Sequence, residues 1–275
     1  MIVYDCVFKR RKHMKVCFST LGCPEWSFSD IVSVASDLGY NGIEIRGIQN
    51  ELYAPAMEPF SKDHIEKTKQ TLDRLSLEIP CLTSACNLNI EADVEKAKAY
   101  VDTASAIGTP YIRLLGDLSP APSDDISLKA IASNLEEIVV YAKNKNVMPL
   151  IETNGFFAKT KSLGAMLKSF DLPNVGILFD IHHPYRFFGE EPAYTIDNLG
   201  PFIKHVHIKD SVMEGKNVRY KMVGEGDLPV AKTIKLLQNA GYQGHYSLEW
   251  VKRWDLSLEE PGIAFAQFKE FMDAL

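Results

Sequence analysis

The chain has little that would mark it as a membrane, secreted or nucleic-acid-binding protein. No apolar run approaches the roughly 18 residues of a membrane span, no tract rich in Pro, Gly or Ser divides the chain, and no low-complexity segment occurs. Basic residues are in the minority, 30 Lys and Arg against 36 Asp and Glu. The resulting net charge of −6 lacks the basic footprint of broad nucleic-acid binding. Five cysteines (Cys6, Cys17, Cys23, Cys81 and Cys86) make an odd number without a CxxC pair. Cys17 and Cys81 fall in strand-like runs, so reduced, buried thiols in a cytoplasmic protein are expected. The N-terminus also lacks the order of a secretory signal, because apolar MIVYDCVF precedes basic KRRKHMK. Residues 1–14 read as an extension ahead of the first strand, with Met14 an alternative start.

What the chain does have is alternation of short β-rich runs with longer amphipathic segments. Strands are expected at 15–19, 42–46, 80–84, 110–114, 147–151, 176–180, 203–208 and 245–249. Helical spacing of apolar residues covers segments such as 29–39, 94–108, 128–146 and 230–241, several of which close on Gly or Asn. Eight strands alternating with helices imply parallel pairing with right-handed crossovers. The length of 275 residues fits one α/β domain of the (β/α)8 TIM-barrel type, typically about 250 residues, here spanning 15–275. A faint repeat agrees: S-D-L-G-Y-N-G from Ser36 parallels Q-N-A-G-Y-Q-G from Gln238, each a helix end leading into a strand.

Four apolar runs in the second half stop on a residue able to bind a metal. They are VMPLI before Glu152, VGILF before Asp180, FIKHV before His207 and HYSL before Glu249. A parallel barrel assembles its site from such strand ends at one rim. Each residue also has a structural alternative: Asp180 as a loop cap, Glu249 as a salt-bridge partner, and the His205-Val-His207-Ile-Lys209 alternation as a surface strand. A carboxylate straight after a buried run is costly unless paired, hydrogen-bonded or metal-bound. Two Glu, one Asp and one His offer three oxygens and one nitrogen, which suits Mn²⁺, Mg²⁺ or Co²⁺, with Zn²⁺ also accommodated. Arg113, Glu44 and Arg46 end strands and are candidates to line the pocket, although an inter-strand salt bridge is the expected role of Glu44 and Arg46. Asp227 before Leu-Pro reads as a helix N-cap. Trp26, Trp250, Trp254 and the Tyr185, Phe187 and Phe188 cluster are expected in core packing, pocket walls or subunit contacts.

GIEIR (42–46), IETNG (151–155), FDIHH (179–183), HVHIKD (205–210), GEGD (224–227) and YSLEW (246–250) together carry a family resemblance. The chain resembles the xylose-isomerase-like barrels, in particular the sugar phosphate isomerase/epimerase group with its ketose 3-epimerases and inosose isomerases. The resemblance implies that Glu152, Asp180, His207 and Glu249 ligate one divalent metal. It also implies that Glu152 and Glu249 transfer protons through a cis-enediolate. By the same resemblance His183 contacts a substrate oxygen, Lys209 reaches a substrate oxygen or phosphate at the rim, and Glu225 sits on a loop over the barrel mouth. Where the epimerase branch carries a substrate-holding Arg, six residues after the metal His, this chain has Met213.

The leading expectation is a metal-dependent isomerase or epimerase of a small sugar, sugar phosphate or inosose, with no nucleic-acid or membrane partner. Homo-oligomers are implied by the resemblance. An inosose dehydratase-like lyase on the same barrel is the near alternative, and a non-catalytic barrel that binds a metal or ligand is the distant one. The apurinic-endonuclease branch needs further histidines after strands 3 and 4, where this chain reads TSACN and RLLGD.

Overall fold

The computed structural model describes residues 14–123, 126–169 and 174–275. Most of the expected N-terminal extension, Cys6 included, lies outside the described residues. Elements run β1 (Lys15–Ser19), α1 (Phe28–Asp37), β2 (Gly42–Glu44), α2 (Ile65–Leu75), β3 (Cys81–Asn87), α3 (Asp93–Ile107) and β4 (Tyr111–Leu115). They continue α4 (Leu128–Ala142), β5 (Met148–Glu152), α5 (Thr160–Ser169), β6 (Gly176–Asp180), α6 (His182–Phe188), α7 (Pro192–Leu199) and β7 (Ile203–Ile208). A hairpin, β8 (Asp210–Glu214) and β9 (Asn217–Lys221), precedes α8 (Val230–Asn239), β10 (His245–Leu248) and α9 (Pro261–Asp273).

Eight strands form one sheet in the order β2-β1-β10-β7-β6-β5-β4-β3, every pair parallel. Its two edges meet: Ile43 N donates to Glu78 O (2.9 Å), Thr83 N donates to Ile45 O (2.8 Å), and parallel bridges join Gly42 to Glu78 and Ile45 to Leu82. The sheet therefore curls into the expected (β/α)8 barrel. The antiparallel β8–β9 hairpin, joined through Gly215-Lys216, is an insertion at the C-terminal rim that the sequence reading did not anticipate.

Side-chain alternation divides the strands into an outer and an inner face. Outward-facing Ile112, Leu114, Ile151, Ile177, Phe179, Val206 and Ile208 join the main core between sheet and helices. On the inner face Cys81, Leu150 and Leu178, with Tyr111 and Met148 packed against them, form a separate apolar plug. One step further along the same strands the inner face turns polar, with Arg113, Glu152, Asp180, His205 and His207 all buried. The polar layer lies at the C-terminal end, where (β/α)8 barrels keep their sites. Cys17, Cys23, Cys81 and Cys86 are buried free thiols.

The repeat read in the sequence corresponds to two matching helix ends. Gly39 (φ 72°) and Gly241 (φ 84°) follow α1 and α8 in the left-handed conformation that a side chain would strain. Asp227 does not cap α8. That helix begins after Pro229 with no side-chain cap, and Asp227 pairs with Arg186 instead. The preceding loop is anchored by Asp210, whose carboxylate accepts from the amides of Ser211 (2.8 Å), Gly224 (3.0 Å), Gly226 (3.0 Å) and Leu228 (3.2 Å). A Cβ on Gly226 would come within 2.0 Å of Asp210 Oδ1.

Two stability predictions follow from these contacts. Asp210→Ala leaves the loop amides without their acceptor and is expected to cost about 2–3 kcal/mol in urea unfolding. His245, buried at the start of β10, is held neutral by burial and by the charges of His205 and Lys15, which lower its pKa to about 3. The stability this contributes is complete above the unfolded value near 6.5 and is lost as pH falls toward 3. Between pH 7 and pH 5 that loss is about 2 kcal/mol. His245→Gln should show a correspondingly smaller difference in urea stability between those two pH values.

Candidate metal centre

Each of the four strand-end residues points inward because it continues its strand's buried-polar face. One donor atom from each of Glu152, Asp180, His207 and Glu249 can be chosen so that all lie within 4.8 Å of one another, and all four residues are buried. His207 Nδ1 is 3.2 Å from Glu152 Oε1, 3.3 Å from Glu249 Oε1 and 3.8 Å from Asp180 Oδ2. Register brings Asp180 opposite His207 on adjacent strands. Glu249 follows β10, its amide donating to Ile208 O of β7 (3.0 Å).

So many buried carboxylates require cations close by. Arg113 Nη1 lies 3.2 Å from Glu152 Oε2 and 3.5 Å from Glu249 Oε1, and its Nε and Nη2 donate to Ser84 O (3.1 and 2.8 Å). Lys209 Nζ lies 2.8 Å from Asp180 Oδ2 and also donates to Glu249 Oε2. Burial alone would raise the Glu152 carboxyl, but Arg113 and His207 bring it down to about 2. Burial likewise opposes ionisation of Asp180, yet His183, Lys209 and His207 hold it well below the usual carboxylate range. Burial works against a charge on Lys209, and Asp180 and Glu249 overcome it.

Glu44 makes the expected inter-strand pairing, and makes it with histidines: it reaches across the barrel from β2 to β7, its Oε2 lying 2.6 Å from His205 Nε2 and 3.0 Å from His207 Nε2. Arg46 makes no such salt bridge among the described residues. A carboxylate on one imidazole nitrogen fixes the ring and directs the other nitrogen, here Nδ1, at the cluster. Glu44 and Glu249 raise the His207 pKa well above its ordinary value although burial opposes them. A proton on Nδ1 and a metal ion thus answer the same electrostatic demand.

Of the remaining expected residues, His183 is buried beside the cluster, with Nδ1 3.3 Å from Thr153 O and Nε2 3.4 Å from Lys209 Nζ. Glu225 is exposed on its loop and makes no hydrogen bond or ion pair with the cluster residues. Met213 is 43% exposed on β8. Trp250 is buried and donates to Glu259 O (3.0 Å), Trp26 packs edge-on against Phe265, and Trp254 is exposed. Two residues of the rim were missed. Tyr220 of β9 lies over His182 with ring centroids 5.5 Å apart, and Arg186 of α6 donates through Nε to Ser211 Oγ (2.8 Å). The alternation in NVRYK after Glu-Gly-Lys was the available signal for the hairpin that carries Tyr220.

The donor set fits a divalent cation. His207 Nδ1 and Asp180 Oδ2 are buried and have no partner in hydrogen-bond geometry, although both face opposite charge. Glu152, Asp180, His207 and Glu249 would hold the ion, and the open, oxygen-rich set resembles a catalytic site more than a closed structural one. Glu44→Gln, which removes the charge that orients His207, is expected to weaken Mn²⁺ or Zn²⁺ affinity about 10–100-fold in calorimetric titration. An unchanged affinity would remove Glu44 from the metal centre.

Comparison with known proteins agrees with this architecture. The chain is similar to fructoselysine 3-epimerase of Shigella flexneri, 24% identical over 280 residues that cover 95% of this chain and 98% of the relative. It is also similar to 3-dehydroshikimate dehydratase of Bacillus anthracis, 27% identical over 246 residues, 82% of this chain and 85% of the relative. The crystal structure of the IOLI protein with a zinc atom superimposes with a TM-score of 0.77 at 17% identity, covering 94% of this chain and 97% of the other. A family model described as xylose isomerase-like TIM barrel matches residues 32–273, and the chain belongs to that family.

Proposed function

We propose that this barrel is a divalent-metal-dependent isomerase or epimerase of a small polyhydroxy carbonyl compound, a sugar, sugar phosphate or inosose. The observation that carries the reading is the convergence of Glu152, Asp180, His207 and Glu249 at the C-terminal rim, flanked by Arg113 and Lys209. A divalent ion held there supplies Lewis-acid polarisation of a carbonyl or hydroxyl oxygen, and Mn²⁺, Mg²⁺, Co²⁺ and Zn²⁺ all suit the donor set.

The protein's own residues supply proton transfer and orientation. Glu152 on β5 and Glu249 after β10 approach the centre from different strands, and each has a second oxygen in contact with Arg113 or Lys209. One carboxylate removes the proton alpha to the carbonyl, giving a cis-enediolate, and the other returns a proton. Lys209 presents its N–H donors to substrate oxygens, His183, with Nδ1–H on Thr153 O, offers Nε2 as an acceptor to Lys209 or a substrate hydroxyl, and Arg113 bridges and neutralises the two glutamates. Burial of the whole layer keeps bulk water from the transferred proton.

A dehydratase is the second reading, favoured by the placement of Lys209. Its buried ammonium beside Glu249 can protonate a hydroxyl leaving from the carbon beta to the carbonyl. The similarity to a dehydratase relative supports it, as does Met213 in place of the epimerases' Arg. The free buried thiols suit a reducing, cytoplasmic setting, and the negative net charge suits a small-molecule rather than nucleic-acid partner. Self-association into a homo-oligomer belongs to the same proposal.

Incubation with a panel of ketoses, ketose phosphates and inososes in D₂O with added metal tests both readings by NMR. Deuterium at the alpha carbon with a stereochemical or positional change is the expected result, and loss of water identifies the lyase. Glu152→Gln and Glu249→Gln should each slow exchange by about 10²–10⁴-fold. Wild-type exchange in both variants with metal bound would refute the proton-transfer assignment.

A further inference from the structure

Every buried carboxylate of the site has a cationic partner, but among the described residues the Arg46 side chain at the rim has neither a carboxylate nor a backbone acceptor. Glu44 faces His205 and His207, Glu152 faces Arg113, Asp180 faces Lys209, and Glu249 faces both. Arg46 follows β2 two residues after Glu44. Ile45 between them points into the outer core and bridges Leu82, so Arg46 continues the inward face one step nearer the mouth. Its side chain is half-buried and makes no hydrogen bond or ion pair among the described residues.

The backbone beneath it is fixed. The amides of Arg46 and Gly47 both donate to Thr20 Oγ1 (2.9 and 3.1 Å), and Thr20 is fully buried. Neighbouring groups are already engaged. Arg253 clamps two loops through Pro24 O (3.3 Å) and Gln49 O (2.8 Å), and the Tyr100 hydroxyl donates to Leu52 O (3.0 Å) while accepting from Ala54 N (3.2 Å). Burial and the charge of Arg113 bring the Arg46 guanidinium down to about 10, with Tyr100 and Glu249 acting against them. A guanidinium that is anchored at its backbone, partly desolvated and without a counter-ion is prepared for an anion from outside.

We infer that Arg46 binds an anionic substituent of the substrate, a carboxylate or a phosphate, and so restricts this enzyme to acidic substrates. The inference rests on the proposed function only for the word substrate, because the anion site itself is the Arg46 guanidinium at the barrel rim, on a backbone anchored by Thr20. A planar guanidinium takes either oxyanion through paired N–H donors. Neutral sugars and inososes would leave it uncompensated, and a divalent ion at the neighbouring centre adds positive charge to the same mouth.

The test titrates the full chain with inorganic phosphate and, separately, with cyclohexanecarboxylate, before and after metal removal on a chelating resin. The readout is the Arg46 Nε–Hε NMR signal, assigned by its loss in Arg46→Met. We expect saturable shifts of that signal in the wild type, and affinity in Arg46→Met, read by calorimetry, weakened at least about tenfold. Arg46→Lys should recover phosphate better than carboxylate binding, since an ammonium keeps the charge and loses the paired donors. Response to phosphate alone identifies a phosphorylated substrate, and response to carboxylate alone identifies an acid. No shift with either anion, or affinities that Arg46→Met leaves unchanged, overturns the inference. Anion binding that depends on Arg46 in a protein that takes up no metal would leave this inference standing and remove the metal-dependent reading.

Discussion

The desolvation of carboxylates on the inner face of a closed barrel is the constraint around which the rest of the structure is arranged. Glu44, Glu152, Asp180 and Glu249 are all buried, and none could remain ionised there alone. The interior answers with Arg113, Lys209 and His207, each placed between two carboxylates or more. Because the countercharges arrive from β4, β7 and the rim beyond it, the site forms only when the barrel has closed. Assembly of the polar layer and closure of the sheet depend on the same contacts.

Two features give the centre its direction. Below it, the apolar plug of Cys81, Leu150 and Leu178 seals the barrel interior, so the polar layer opens only toward the C-terminal mouth. Across it, Glu44 holds His205 and His207 together, joining β2 to a strand three positions away in the sheet. The hairpin and the Asp210-anchored loop then build one wall of the mouth, with Tyr220 and Arg186 on it. Arg46 follows β2 at the same mouth, one alternation step beyond Glu44.

Much of this was legible in the chain because a β-strand imposes a period of two on its side chains. GILFD, IKHVHI and KVCFS form strands with the expected bounds, and the alternation in His205-Val-His207-Ile-Lys209 separates inward polar from outward apolar residues. The convergence of Glu152, Asp180, His207 and Glu249 was legible as polar stops on apolar runs. The hairpin was less legible, because NVRYK is short and half-exposed and its alternation carries little apolar weight. For Glu44 an inter-strand pairing was legible but its partners were not, because the residues it meets, His205 and His207, lie more than 160 positions later.

The sequence by itself determined the eight βα units, the inward-facing positions and the inventory of carboxylates, imidazoles and cations available to them. These are properties of local period and composition, which each segment carries without its neighbours. Tertiary structure alone decided the pairing: which nitrogen of His207 faces the cluster, which cation neutralises which carboxylate, and that the Arg46 side chain meets neither. Those outcomes depend on strand order and register around a closed sheet, and distances between residues far apart in the chain exist only once that sheet has curled shut.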